Sequence, residues 1–237
     1  MAKTTFKGSI MLNPVPAVMI TSRNSEGRDN VFTVGWIGTA CTKPPMITVA
    51  IRPERLSYEY IKQTGSFVVN LASSNLVKAV DYCGVKSGRT NDKFRDMNLS
   101  LSEAKDISCG IINQCPVAFE CVVKSITPLG THDLFLAEIV NCHVENTLID
   151  EKGKIHFDKG DLLSYSHGEY FSLSPKPIGK FGYSVAKKTT IKLKNKGIKK
   201  HNETTKTAIV EKEQLHNRKN IKSNKPKKTK TKKRTRI

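Results

Sequence analysis

Apolar and polar residues alternate with a period of two along five separate stretches. These are A-V-M-I-T at 17–21, M-I-T-V-A-I at 46–51, F-V-V-N-L at 67–71, V-A-F-E-C-V-V-K at 117–124 and D-L-F-L-A-E-I-V-N-C-H-V at 133–144. That period belongs to strands. In 117–124, Val117, Phe119, Cys121 and Val123 share one face, while Ala118, Glu120, Val122 and Lys124 make a mixed one, as in a strand with one better-buried side. Helical patterns are few and short. Leu56, Tyr60 and Ile61 share a face of a helix that starts near Ser57 and stops at Gly65. Leu76, Val77, Val80 and Cys83 predict a second, from Ser73 and Ser74 to Gly84, and a third covers 92–97. Five or more strands with small helices between them predict a mainly β fold curled into a closed or nearly closed barrel, because an open sheet leaves edges to protect.

Charge divides the chain sharply. Residues 1–186 hold 20 Lys and Arg against 18 Asp and Glu, whereas 187–237 hold 20 against 3. The basic balance therefore describes a tail, and the nearly neutral body gives no ground for reading the whole chain as a nucleic-acid binder. Residues 1–186 are long enough for one compact domain. From 187 onward Lys, Asn and Thr dominate without aromatics, a composition expected to stay disordered.

Asn13, Pro14 and Pro16 interrupt the first apolar run before a signal-like core forms, and no window reaches the ~18 apolar residues that span a bilayer. The expectation is a soluble, cytoplasmic chain without membrane insertion. Its six cysteines lack C-x-x-C spacing, so free thiols and no bound metal are expected. Dinucleotide-fold glycine fingerprints, Walker lysine loops, G-x-S-x-G and H-E-x-x-H are all absent.

What remains is a set of segments in a particular order: N-P-V-P-A-V-M-I-T-S at 13–22, D-N-V-F-T-V-G-W-I-G-T-A-C-T-K-P-P-M-I-T-V-A-I at 29–51, and G-S-F-V-V-N at 65–70. Then follow D-Y-C-G-V-K-S-G-R-T-N-D-K-F at 81–94, C-P-V-A-F-E-C at 115–121 and G-T-H-D-L-F-L-A-E-I at 130–139. In this order and spacing the body resembles the flavin reductase-like family, FMN-binding split barrels that include flavoredoxins and ferric reductases. The resemblance implies a split β-barrel with short peripheral helices, FMN as cofactor, and NADH or NADPH as a transient substrate.

It also implies site residues. The segment 33–41 would run beneath the isoalloxazine, with Thr33, Trp36, Gly38, Thr39, Ala40 and Cys41 in the cofactor site, small residues allowing close backbone approach. Trp36 either packs near the ring or fills the core. Cys41 stands where relatives commonly carry Ser. In I-R-P-E-R-L-S-Y at 51–58, Arg55 and Ser57 would hold the phosphate at a helix N-terminus, the alternative being a solvated arginine and a capping serine. Ser87, Gly88 and Lys93 would face the phosphate and ribityl chain, with Asp92 capping a short helix, Lys93 preferred to Lys86, and Cys83 in packing. Asn70 would bond the cofactor or serve the strand. His132 would stand near the flavin and the incoming nicotinamide as the catalytic residue, or be structural.

Relatives of this kind usually form homodimers, and Tyr170 or Phe171 would reach the partner's site. The resemblance thus implies an oxidoreductase passing electrons from NAD(P)H or a small redox protein through FMN to flavin, ferric complexes or a protein acceptor. A flavoredoxin-like carrier without its own NAD(P)H activity fits the same residues. A different class, a binding protein acting on nucleic acid through its basic tail, rests on charge alone, since the tail lacks aromatics that would stack bases.

Overall fold

The computed structural model describes residues 1–174 and 176–185. Two compact units are present, Met1–Pro177 and Ile178–Ile237, and the described part of the second contains a 3-10 turn at Tyr183–Val185. The disorder expected of 187–237 falls outside the described residues.

The first unit is mainly strand. In chain order it forms β1 (Val15–Pro16), β2 (Val18–Arg23), β3 (Asp29–Val34), β4 (Ile37–Cys41), β5 (Met46–Ile51), α1 (Leu56–Thr64), β6 (Ser66–Leu71) and α2 (Val77–Val85). Then come α3 (Lys93–Asp96), β7 (Leu101–Glu103), β8 (Gly110–Ile112), β9 (Val117–Pro128), β10 (Asp133–Val144), β11 (Leu163–Ser166) and β12 (Glu169–Ser172). Seven strands pair antiparallel in the order β3-β2-β6-β9-β10-β5-β4; β1, β11 and β12 form a second sheet, and β7 pairs with β8. The expected split β-barrel with short peripheral helices is the architecture found.

Alternation explains the curl. Val18 and Ile20 of β2, Phe32 and Val34 of β3, Val49 and Ile51 of β5, Phe67 and Val69 of β6, and Phe135 of β10 all turn into one core, which Ile61 of α1 completes. Each such side chain, fully buried, contributes about 1.5–3 kcal/mol. Met19 and Val31 point the other way and pack beneath Ala79, Val80 and Cys83 of α2. Strand β2 is therefore buried on both faces, and α2 is held across β2 and β3.

The helices differ from the sequence reading in detail. α1 does end at Gly65, which adopts φ 68° and donates its N–H to Ile61 O at 2.8 Å, the left-handed cap that glycine permits. α2 continues through Gly84, because that glycine is a contact and not a stop: a Cβ there would lie 3.3 Å from Thr33 Cβ. The buried face of α2 is Ala79, Val80 and Cys83, and Val77 is exposed. α3 is shorter than expected, with the Asp92 carboxylate accepting from Arg95 N–H at 3.1 Å as its cap.

Four pieces of this frame converge at one place. They are the β3–β4 connection, the N-terminus of α1, the loop after α2, and the β11–β12 hairpin. The hairpin turns at His167 and Gly168, with φ 51° and 95°, and Asn13 Oδ1 accepts from His167 N–H at 3.2 Å.

Candidate functional site

Where the pieces meet lies a groove made of two cavities that share Phe32 and Arg55. The first, of about 290 Å³, is walled by Thr33, Gly35 and Trp36 on one side, Arg52 and His132 on another, and Tyr165 and Tyr170 of the hairpin. Trp36 is 43% exposed and its ring centroid lies 4.6 Å from that of His132 at 60°, so it lines the mouth and does not fill the core. His132 Nδ1 lies 2.9 Å from Thr131 Oγ1, leaving Nε2 toward other partners. Burial, then Arg52, lowers the His132 pKa, so the imidazole is neutral at neutral pH. Thr33 donates its hydroxyl to Val80 O at 2.5 Å, which commits that proton to α2. Tyr170 donates to Asp81 Oδ1 at 3.3 Å, and burial beside that carboxylate pushes its phenol up to about 12.

The second cavity, of about 160 Å³, is polar, with Asn30, Arg55, Ser57, Lys86, Ser87, Gly88 and Lys93 around it. Ser57 is fully buried and its Oγ accepts from Asn30 Nδ2 at 2.8 Å, so its own proton is free to point inward. Arg55 Nη1 donates to Gly84 O at 3.1 Å. Lys93 is only 4% exposed, and among the described residues its ammonium has one acceptor, Cys83 O at 3.2 Å. Burial lowers its pKa to about 8. An ammonium has three N–H donors, and a buried charge with two of them unused is costly unless an anion completes it. The N-terminus of α1 adds a favourable dipole at the same point. These donors converge on the smaller cavity, which adjoins the larger one at Phe32 and Arg55.

A flavin reductase like domain model matches residues 11–174. The chain belongs to that family. An uncharacterised protein of Archaeoglobus fulgidus is 31% identical to it over 145 residues, 61% of this chain and 81% of the relative. The flavoredoxin of Desulfovibrio vulgaris (Miyazaki F) has a similar fold, with TM-score 0.72 and 23% identity over 77% of this chain and 100% of that one. The flavoredoxin from Methanosarcina acetivorans is similar at TM-score 0.70 and 26% identity over 78% and 100%. A flavin fits the residues present, because the Lys93 ammonium has one acceptor among the described residues and the adjoining cavity is walled by Phe32, Trp36, His132, Tyr165 and Tyr170. This flavin reductase-like protein is a flavin-linked redox protein of oxidoreductase kind.

The groove gathers Thr33, Trp36 and His132 at one end, Ser57, Ser87, Gly88 and Lys93 at the other, and Arg55 between. Two sequence expectations do not fall in it. Gly38, Thr39, Ala40 and Cys41 lie on β4, the last strand of the ladder, which pairs with β5 alone; Gly38, Thr39 and Ala40 are exposed outside both cavities. Asn70 is fully buried in the core. Its Nδ2 donates to Met19 O at 3.1 Å and Thr21 Oγ1 at 3.2 Å, and its Oδ1 accepts from Ile112 N–H at 2.9 Å, so it pins β8 to β6 and β2 and has no reach to a flavin. Ser57 is no side-chain cap, since α1 has none. Tyr170 lines its own chain's cavity, while Phe171, the next residue along the strand, is exposed outside it. Cys83 is packing: buried, with its thiol pushed up to about 11.

Among the groove residues that escaped the sequence reading are Asn30, Arg52 and Tyr165. Asn30 carried a signal, an amide beside the apolar pair Val31 and Phe32 in β3. Its role depends on Gly88, where a Cβ would meet Asn30 Oδ1 at 2.0 Å.

Proposed function

We propose that this protein binds FMN and passes electrons from NADH, NADPH or a small redox protein to free flavin, ferric complexes or a protein acceptor. The observation that carries the choice of FMN is Lys93, a buried ammonium with one acceptor among the described residues, which lines the same small cavity as Arg55 and Ser57. Riboflavin would leave that charge uncompensated. A flavin held there supplies interchange between one- and two-electron transfer.

The remaining work falls to the chain's own groups. Arg55, Ser57 and Lys93 anchor the phosphate. Arg52 and a neutral His132 stand together at the ring cavity, where a cation and an imidazole N–H favour negative charge on whatever lies between them. Trp36 and the two tyrosines narrow the mouth and limit water. The open edge of β4 belongs to the same reading: a homodimer packed along it would bring Gly38, Thr39, Ala40 and Cys41 against a flavin after all.

The test is the visible absorption spectrum of the purified protein under anaerobic conditions, before and after NADH and then NADPH. Bleaching by either nucleotide is the expected result. A yellow protein that bleaches only with dithionite would replace the reductase by a carrier fed by another protein. A colourless protein that takes up no added FMN would overturn the proposal. Deleting 187–237 should leave flavin content and reduction unchanged; loss of both would instead give the basic tail, and its nucleic-acid reading, a part in function.

A further inference from the structure

Ser57 and His132 belong to opposite ends of the groove, and the chain neighbour of one is bonded to the chain neighbour of the other. Tyr58, which follows Ser57 in the first turn of α1, donates its hydroxyl at 2.7 Å to Oδ2 of Asp133, which follows His132 at the start of β10. Neither Tyr58 nor Asp133 lines either cavity. We propose that these two are positioning residues, whose bond fixes His132 at the ring cavity and ties it to the N-terminus of α1, the phosphate anchor; the inference rests on the flavin reading above.

The imidazole needs such a tie. His132 closes a tight turn, in which Leu129 N–H donates to His132 O at 2.9 Å and Gly130 takes φ 115°. Leu129, Gly130 and Thr131 are all exposed. Among the described residues the one hydrogen-bonding side chain that meets the imidazole is Thr131, from the same exposed turn, so this bond cannot fix the ring against the rest of the groove. The ladder sets the backbone of Asp133 opposite Ile51 of β5. The Tyr58 hydroxyl adds a tie to a different element, α1, one residue from the imidazole.

Both partners are built for one another. Asp133 is 9% exposed, and among the described residues its carboxylate accepts from Tyr58 alone. A carboxylate with room for several donors and only one of them filled depends on that one. The Tyr58 ring is held independently of its hydroxyl. It meets Phe135 edge-on with centroids 5.5 Å apart at 89°, and Lys62 Nζ lies 5.7 Å from its centroid. Phenylalanine at 58 therefore keeps the ring in place and removes the bond.

Trp36 supplies the readout. It is the chain's single tryptophan and its ring lies against His132, so its emission, excited beyond the tyrosine band, reports the imidazole with no flavin present. The experiment compares the wild type with Tyr58→Phe, Asp133→Asn, His132→Ala and the double variant of Tyr58→Phe with His132→Ala. Emission is read on the flavin-free proteins, and FMN affinity, nucleotide KM and limiting reduction rate on the loaded ones. Tyr58→Phe is expected to change the emission and to lower the limiting rate by about threefold to tenfold, with FMN affinity and KM within about twofold of wild type. Asparagine at 133 keeps an acceptor for the hydroxyl, so Asp133→Asn should stay within about twofold of wild type throughout. On the His132→Ala background Tyr58→Phe should change neither emission nor rate, because the residue it positions is gone. Wild-type emission and rate in Tyr58→Phe, with FMN bound normally, would overturn this inference alone. So would a fall in rate as large on the His132→Ala background as on the wild type, since the bond would then serve the fold and not the imidazole. Emission that follows the expected pattern in a protein that takes up no FMN would instead overturn the flavin reading and uphold the placement of His132.

Discussion

A Cβ on Gly88 would lie 2.0 Å from Asn30 Oδ1, and that amide presents its other end to Ser57 Oγ at 2.8 Å. One missing methyl group thus lets a loop residue, a strand residue and a helix residue meet at the small polar cavity. Gly88→Ala has to displace Asn30, which frees Ser57 to rotate. FMN affinity is expected to fall by about tenfold or more, the cost of a charge-assisted contact. Flavin titration of the purified variant checks it, and wild-type affinity would remove the Asn30–Ser57 pair from the site.

Lys93 makes the ligand-free protein pH-sensitive in a direction that can be worked out. Burial lowers its pKa from 10.5 to about 8, so the folded chain gives up this proton while the unfolded chain still holds it. Between those two values the unfolded state binds more protons, and stability rises with pH; below about 8 the whole penalty is present. Lys93→Met removes the penalty and the bond to Cys83 O together, for a net gain of about 2 kcal/mol in ligand-free stability at pH 7. The same variant should bind FMN far more weakly. Wild-type affinity should also decline as pH climbs above about 8, because the phosphate then has to recruit a proton. Denaturation midpoints and flavin titrations across pH measure both, and a ligand-free variant less stable than wild type would refute the buried-charge account.

His132 offers a different pH signature. Its pKa is lowered by burial and by Arg52, so it charges only below the 6.5 of a free imidazole. Reduction of the bound flavin at saturating nucleotide should therefore show a change in acid that is missing from His132→Ala. The variant's rate at neutral pH is expected to fall by roughly tenfold or more through lost orientation. Stopped-flow reduction at several pH values reads this directly, and a variant with the wild-type rate and profile would take His132 out of the mechanism.

The strands with clean alternation were legible from sequence. Residues 46–51 and 133–144 form β5 and β10 with those bounds, and 117–124 begins β9, which continues through Ser125, Ile126 and Thr127 to Pro128. What stayed hidden had weaker patterns. β4 reads I-G-T-A-C, small residues on an open edge with little to bury, and the β11–β12 hairpin reads L-S-Y-S and E-Y-F-S, polar enough to pass for loop. That hairpin carries Tyr165 beside Tyr170, so Tyr165 was missed with it and Tyr170 was assigned to a partner's site. The phosphate end was easier, because lysine, arginine, serine and glycine announce their chemistry by type. That Asn30 lines the groove and Asn70 does not could not be read from type at all: both are strand amides, and only the packing of Gly88 against one and β8 against the other separates them.

That separation makes a last prediction. Asn70 bonds Met19 O, Thr21 Oγ1 and Ile112 N–H, all deep in the protein, so Asn70→Leu would leave a buried N–H and a buried carbonyl without this amide. Each such loss costs about 1–3 kcal/mol, and the variant should unfold at markedly lower denaturant. Because no part of Asn70 lines either cavity, the fraction that stays folded should bind FMN as the wild type does. Chemical denaturation paired with flavin titration at low temperature separates the two effects. Normal stability with lost flavin would move Asn70 from the core back to the cofactor.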